Sequence, residues 1–220
     1  IREEGYATDL ITEHALEFLE NREKDKPFLL YVHHKAPHRN WMPDFKYLDL
    51  YENVEFPIPD TFYDNYATRG VATKEQRMRI DEDMSMIYDL KLYGYEGSTH
   101  QYDQGIMLSY ALWSMTEDER ESWYAAYAEK NKNFFENQEN MTHDDIVRWK
   151  FQRYVKDYLR VIKSVDDSVG EILDYLEAND LMDNTMIVYT SDQGFYMGEH
   201  GWFDKRFMYE QSFRTPLIIH

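Results

Sequence analysis

The sequence predicts an α/β fold, a mostly parallel sheet sandwiched by helices, from three observations. Phe28-Leu29-Leu30-Tyr31-Val32-His33 and Thr185-Met186-Ile187-Val188-Tyr189-Thr190 are short continuous apolar runs, the pattern of strands buried on both faces. A helical pattern precedes each run, so the chain reads helix, strand, long helix, strand. Polar text rich in His, Asp, Lys and Gly follows each run, as expected at the carboxyl ends of parallel strands, where ligands bind.

Along the chain, Thr8 is placed to cap a helix whose apolar positions Leu10, Ile11, Ala15, Leu16, Phe18 and Leu19 recur at helical spacing, ending in the charged run Asn21 to Lys26. Pro27 bounds it before the first strand. From Lys35 to about Arg69, Pro37, Pro43, Pro57 and Pro59 forbid a long helix, and a long structured loop is expected. Thr73-Lys74-Glu75-Gln76 and Thr116-Glu117-Asp118-Glu119 both fit the capping box, so a helix is expected to start at each. Thr142 introduces a long helix through Val147, Phe151, Tyr154, Leu159, Ile162, Val165, Val169, Ile172, Leu173 and Leu176, with Asn179 as its stop. Asn184 then turns the chain into the second strand. Trp113, Trp123, Tyr124, Tyr127 and Phe134 are expected in the core rather than on a sugar platform.

The 220 residues, 43% hydrophobic and 16% aromatic, suffice for one sizeable core. With 42 acidic against 24 basic residues the net charge is −18, which excludes a broad electrostatic grip on nucleic acid or anionic lipid. An anionic substrate must therefore meet a local basic cluster. Absence of cysteine excludes disulfides, thiolate metal sites and cysteine nucleophiles within these residues. No apolar stretch approaches about 18 residues, so no membrane span is expected, and Ile1-Arg2-Glu3-Glu4 does not form a leader. The start without Met, and an end at Thr215-Pro216-Leu217-Ile218-Ile219-His220 that reads as a strand just begun, give the expectation of a piece truncated at both ends.

Both strand ends carry candidate chemistry. Asp192 and Gln193 offer a carboxylate and an amide carbonyl side by side, hard oxygen donors suited to Ca²⁺ or Mg²⁺. The competing reading is a polar turn, with Asp192 accepting backbone amides and Gly194 at positive φ. His33, His34 and His38 invite a zinc site, but strand alternation sends His33 and His34 to opposite faces. His38 lies beyond the strand, after Pro37, where an imidazole can transfer a proton near neutral pH. Lys35, Arg39, Lys205 and Arg206 can supply local positive charge for a sulfate or phosphate. Asp166 and Asp167 are adjacent on a helix and diverge by about 100°, so they belong to its surface and packing rather than to a metal pair.

Several of these segments together resemble the type I sulfatases, a formylglycine-dependent family of the alkaline-phosphatase-like superfamily. Lys26 to Val32, Lys35-Ala36-Pro37-His38 and Trp41-Met42-Pro43 resemble the family's strand and its Ala-Pro-His element. Tyr189 to Gly194, Gly198-Glu199-His200-Gly201, Asp204-Lys205-Arg206, Tyr209-Glu210 and Arg214-Thr215-Pro216 resemble its distal metal and sulfate-binding block, and Val165 to Leu173 the helix before it. About residues 55–150 match poorly and read as a helical and loop insertion into the central part of a catalytic domain spanning residues 1–220.

The resemblance implies an alkaline-phosphatase-like fold and a sulfuric ester hydrolase acting on a sulfated sugar, such as 6-sulfated N-acetylglucosamine, or on an aryl or alkyl sulfate. It implies one Ca²⁺ with Asp192 and Gln193 as ligands, although Asn or His is commoner at the second position. His38 would contact the sulfate and assist departure of the alcohol. Lys205 would bind sulfate oxygens, Lys35 and His200 would contact substrate, and Glu210 and Arg214 would be structural. A periplasmic or secreted protein is implied. The family's C/S-x-P/A-x-R motif, source of its formylglycine nucleophile, does not occur here, nor do its paired aspartates or Gly-Lys-x-His segment. These are expected upstream, and residues 1–220 alone are expected to lack turnover, since such groups act as a unit. A phosphodiesterase or phosphonate hydrolase of the same superfamily, and a noncatalytic interaction domain, are the competing readings.

Overall fold

A computed structural model describes residues 3–103 and 112–220. Ile1 and Arg2, on which part of the leader argument rests, lie outside the described residues. The chain divides into two compact units.

The first unit comprises residues 1–51, 157–187 and 219–220. Its first helix, α1, is Ala7–Asn21 and buries Thr8, Thr12, Ala15 and Leu19, a stripe at helical spacing. The N-cap is Tyr6, with no side-chain cap, and Thr8 falls inside the first turn instead of capping it. The reason is packing. The Thr8 carbonyl accepts the Thr12 hydroxyl at 2.8 Å. Thr12 also bonds Ser168 at 2.6 Å, and Ser168 meets Nε2 of His34 at 3.1 Å, a small polar chain beneath the helix. Asp44 caps a helical turn at Phe45–Tyr47 within the Pro-rich loop.

The apolar run at residues 28–33 does not join a ladder among the described residues, contrary to the expected buried strand. Its burial alternates residue by residue, as in a strand with one covered face, leaving Leu29 74% and Tyr31 71% exposed. No described strand pairs with it, so its outer face stays open.

The second unit comprises Glu52–Lys156 and Val188–Ile218. Helix α2, Val71–Glu75, starts after Gly70 and contains Thr73, so the expected capping box there does not form. The Thr73 hydroxyl is taken up by the hydroxyl of Tyr209 at 2.8 Å. Helix α3, Glu117–Asn137, has the complete box. The Thr116 hydroxyl accepts from the Glu119 amide at 3.2 Å, and the Glu119 carboxylate accepts the Thr116 amide at 2.7 Å. Helix α4, His143–Ala178, runs from the second unit to the first and stops at Asn179 as expected. Asp145 and Thr142 repeat the reciprocal cap at its start, at 2.9 and 3.2 Å. The core of this unit includes Trp123, Tyr127, Phe134, Phe151 and Tyr154. Trp113 and Tyr124 depart from expectation at 73% and 41% exposed. Tyr124 sits edge-on to Tyr93 at 4.7 Å, on the outer side of its helix.

Strand β1 is Val188–Thr190 and pairs with β4, Leu217–Ile219, while β2, Tyr196–Met197, pairs antiparallel with β3, Phe203–Asp204. Ile187 and His220 exchange both backbone bonds, at 3.0 and 2.9 Å, the antiparallel pattern. Val188, Tyr189, Leu217, Ile218 and Ile219 are exposed rather than buried on both faces as the apolar pattern suggested, because no described element lies over them.

Two substitutions separate cap from core. Thr116→Ala should cost about 1 kcal/mol through the lost cap. Asp157 and Arg160 are each 1% exposed at their side chains and 2.9 Å apart. Asp157→Ala should therefore cost about 3 to 5 kcal/mol by stranding a buried cation. Urea denaturation of both variants checks the contrast, and equal losses would contradict it.

Candidate active site

The turn after β1 is organised by Ser191. Its hydroxyl donates to the Gln193 carbonyl at 2.7 Å and accepts from the Gln193 amide at 3.4 Å. Asp192 is exposed, and no described group donates to its carboxylate, so the competing account of Asp192 as an acceptor of backbone amides is not what forms. Gly194 also departs from that account, since its backbone is not at positive φ. Close approach requires the glycine. A Cβ there would lie 2.1 Å from the Gln211 carbonyl oxygen and 2.6 Å from that of Arg214, and the Gly194 amide donates to the Ser212 carbonyl at 2.9 Å. Helix α5, Glu210–Phe213, is thereby clamped against the Asp192-Gln193 turn.

Lys205 follows β3 and is half-buried, with its ammonium 6.0 Å from the Phe195 ring centroid. It forms no ion pair among the described residues, whereas neighbouring Arg206 is tied to Asp204 at 3.0 Å. The Lys205 carbonyl accepts the Ser212 hydroxyl at 2.5 Å, a second tie to α5.

His200 stands in a left-handed conformation, φ 60°, between Gly198 at 104° and Gly201 at 72°. Its Nδ1 lies 2.9 Å from an Asp64 oxygen, and its side chain is 9% exposed. An ionised carboxylate only accepts, so Nδ1 carries the proton and Nε2 is left for another partner. Arg69 also reaches Asp64, at 3.2 Å. Burial raises the Asp64 pKa, but the Tyr66 amide, His200 and Arg69 outweigh it and hold the carboxyl below its ordinary value. Sequence reasoning missed Asp64. Its available signal was the Asx turn, in which its carboxylate accepts the Tyr66 amide at 2.8 Å.

In the first unit, His38 is exposed, and its Nδ1 lies 2.6 Å from the Arg39 carbonyl oxygen. A carbonyl cannot donate, so this contact again places the proton on Nδ1. Lys35 is exposed, and its carbonyl accepts the His38 amide at 2.9 Å. His34 is occupied by Ser168, and burial lowers its pKa, while the His33 ring lies tilted against Tyr31 at 5.5 Å. Asp166 forms an ion pair with Lys163 at 2.9 Å, and Asp167 bonds Lys163 and Tyr47, which leaves both on the helix surface. Among the described residues no three His, Cys, Asp or Glu side chains cluster as a metal site. Asp192 and Gln193 fit a hard cation in donor type and supply two of the 6 to 8 oxygens that Ca²⁺ typically takes.

A family model described as Sulfatase matches residues 2–220. The chain belongs to the sulfatase family. It is 45% identical over 219 residues to an N-acetylglucosamine-6-O-sulfatase of Bacteroides thetaiotaomicron, covering 100% of this chain and 38% of that protein. An N-acetylglucosamine-6-sulfatase of Capra hircus is 23% identical over 215 residues, covering 97% of this chain and 27% of that one. A solved structure in complex with its substrate, D-glucosamine-2-N,6-O-disulfate, superposes with TM-score 0.88 at 45% identity, covering 100% of this chain and 44% of that one. The alkaline-phosphatase-like α/β fold of this sulfatase follows from that superposition. The chain spans well under half the length of these relatives.

The Asp64 geometry sets a pH dependence. A depressed folded pKa contributes stability that is complete above the unfolded value of about 3.9 and is lost as pH falls towards the folded one. Asp64→Asn should lower stability at neutral pH and flatten its decline below about pH 4. Denaturation midpoints across that range check this, and parallel curves would refute it.

Proposed function

We propose that residues 1–220 are the central part of a sulfatase catalytic domain, and that the whole protein hydrolyses sulfate esters of a sugar, with 6-sulfated N-acetylglucosamine as the leading substrate. The supporting observation is the 45% identity, over the full length of this chain, to an N-acetylglucosamine-6-O-sulfatase. Local geometry agrees with it. An Asp192 carboxylate and a Lys205 ammonium without partners among the described residues are both tied through α5 in one unit.

Asp192 and Gln193 would hold one Ca²⁺, which when bound supplies Lewis-acid polarisation of the sulfate oxygens. Lys205 contributes a charge-assisted contact to a sulfate oxygen, and it does so without first breaking an ion pair. With Nδ1–H held by the Arg39 carbonyl, an imidazolium at His38 gives its Nε2 proton to the leaving oxygen and is left as the neutral Nδ1–H tautomer. Lys35 and His200 contact substrate. The nucleophile, a formylglycine in this family, is supplied from outside residues 1–220. A periplasmic or secreted location accompanies this reading. No described helix is long and apolar enough to cross a membrane.

The test is desulfation of a panel of sulfated monosaccharides by the full-length protein with calcium, alongside His38→Ala and Asp192→Ala. Each substitution should lower kcat/KM at least about 100-fold. Phosphodiester cleavage without desulfation, or turnover of neither class, would overturn the reading.

A further inference from the structure

Beside the sulfate-binding elements, the second unit contains a cavity of about 420 Å³ lined by Arg69, His200, Met208, Tyr209, Glu210 and Gln211. Its walls are rigid for reasons of bonding. The Tyr209 ring stacks on Trp202 at 5.5 Å and 27°, and its hydroxyl is held by Thr73 at 2.8 Å. Arg69 lies over the same ring at 5.6 Å, and Asp64 behind the wall bonds both Arg69 and His200.

Charge decides what such a wall reads. The one guanidinium of the wall, Arg69, is already paired with Asp64, and Glu210 adds a further negative charge, so no unpaired guanidinium faces a second anion. It offers instead an aromatic face, guanidinium donors, an imidazole acceptor at Nε2 and a carboxylate acceptor, the complement of neutral ring hydroxyls. Gln211 lines this cavity while its carbonyl abuts Gly194, so the wall continues from the helix that clamps the proposed calcium turn.

We propose that Asp64 is a positioning residue that fixes the His200 tautomer and the Arg69 guanidinium, and that the cavity they line recognises the hydroxyls of the sugar ring rather than a second anionic group. This inference rests on the sulfatase reading. The experiment compares the full-length protein with Asp64→Asn and Arg69→Gln on 6-sulfated N-acetylglucosamine, on a deoxy analogue lacking one ring hydroxyl, and on an aryl sulfate. Arg69 is partly exposed, so its variant retains the fold where the Asp64 variant loses stability, and thermal midpoints are recorded for both.

Each substitution should reduce kcat/KM for the sugar sulfate about 10- to 100-fold, chiefly through KM, with a smaller loss on the deoxy analogue and on the aryl sulfate. Equal losses on all three substrates, or none on the sugar, would overturn the inference while leaving the sulfatase reading in place. A wild-type protein that desulfates none of them would overturn both.

Discussion

The hydroxyl of Tyr66 sets the geometry on which the site in the second unit depends. It accepts the indole N–H of Trp202 at 2.8 Å and donates to the His200 carbonyl. Burial pushes its pKa up to about 12, so it keeps the proton it needs as a donor. His200 is thereby held in a left-handed conformation that costs a non-glycine residue about 1 to 2 kcal/mol. The neighbouring glycines have no room to share that burden with a side chain. A Cβ at Gly201 would lie 2.8 Å from the Phe62 carbonyl oxygen, and one at Gly198 would lie 2.6 Å from the Phe151 ring. Two backbone bonds fix the turn from the other side, Ile80 to Gly201 and Phe203 to Met78, each at 2.9 Å. With the turn fixed, Nδ1 of His200 lies 2.9 Å from the Asp64 carboxylate.

Acids outnumber bases 42 to 24 in this chain, so each cation has many carboxylates with which to pair. Most of the described lysines and arginines near acids are already engaged. Lys46 bonds Asp9 and Asp44, Lys163 bonds Asp166 and Asp167, Arg79 bonds Asp81 and Glu82, and Arg206 bonds Asp204. Lys205 forms no ion pair among the described residues, and its ammonium lies 6.0 Å from the centroid of the Phe195 ring, which attracts it without neutralising it. Neighbouring Arg206 pairs with one Asp204 oxygen at 3.0 Å, while Oδ1 of Asp204 is buried without a partner among the described residues.

The parts of this architecture that were legible in the sequence are those determined by local rules. The cap at Thr116 and the long helix from His143 to Ala178 follow from spacing alone, because each needs only neighbours a few residues away. Thr8 and Thr73 misled for a related reason. Both have the right residue type for a cap, but α1 begins before Thr8, whose side chain is buried, and the Thr73 hydroxyl is engaged by Tyr209, a contact that leaves no local trace. The apolar runs gave the right location for β1, yet not the burial on both faces expected of either run, since residues 28–33 alternate between half-buried and exposed. Burial is a property of the covering element, which a run does not encode. Gly194 was recognised as special for the wrong reason, since the demand on it comes from carbonyls of residues 211 and 214 rather than from its own dihedral angles.

Asp64 was illegible for a deeper reason. Residues 61–69 contain no helix or strand, and they are held through side-chain bonds: the Thr61 hydroxyl to the His200 amide at 3.2 Å, the Asp64 carboxylate to the Tyr66 amide, and the Tyr66 hydroxyl to the turn. No periodicity marks such a segment. A loop anchored at a few hydroxyls leaves its intervening positions, Arg69 among them, free to vary without disturbing a ladder. The turn after β1 lacks that freedom, because Gly194 and Lys205 are both tied to Ser212 of α5, the first through its carbonyl and the second through its hydroxyl. The turn after β1 is therefore fixed by close packing, and the loop that carries Asp64 by a few side-chain bonds.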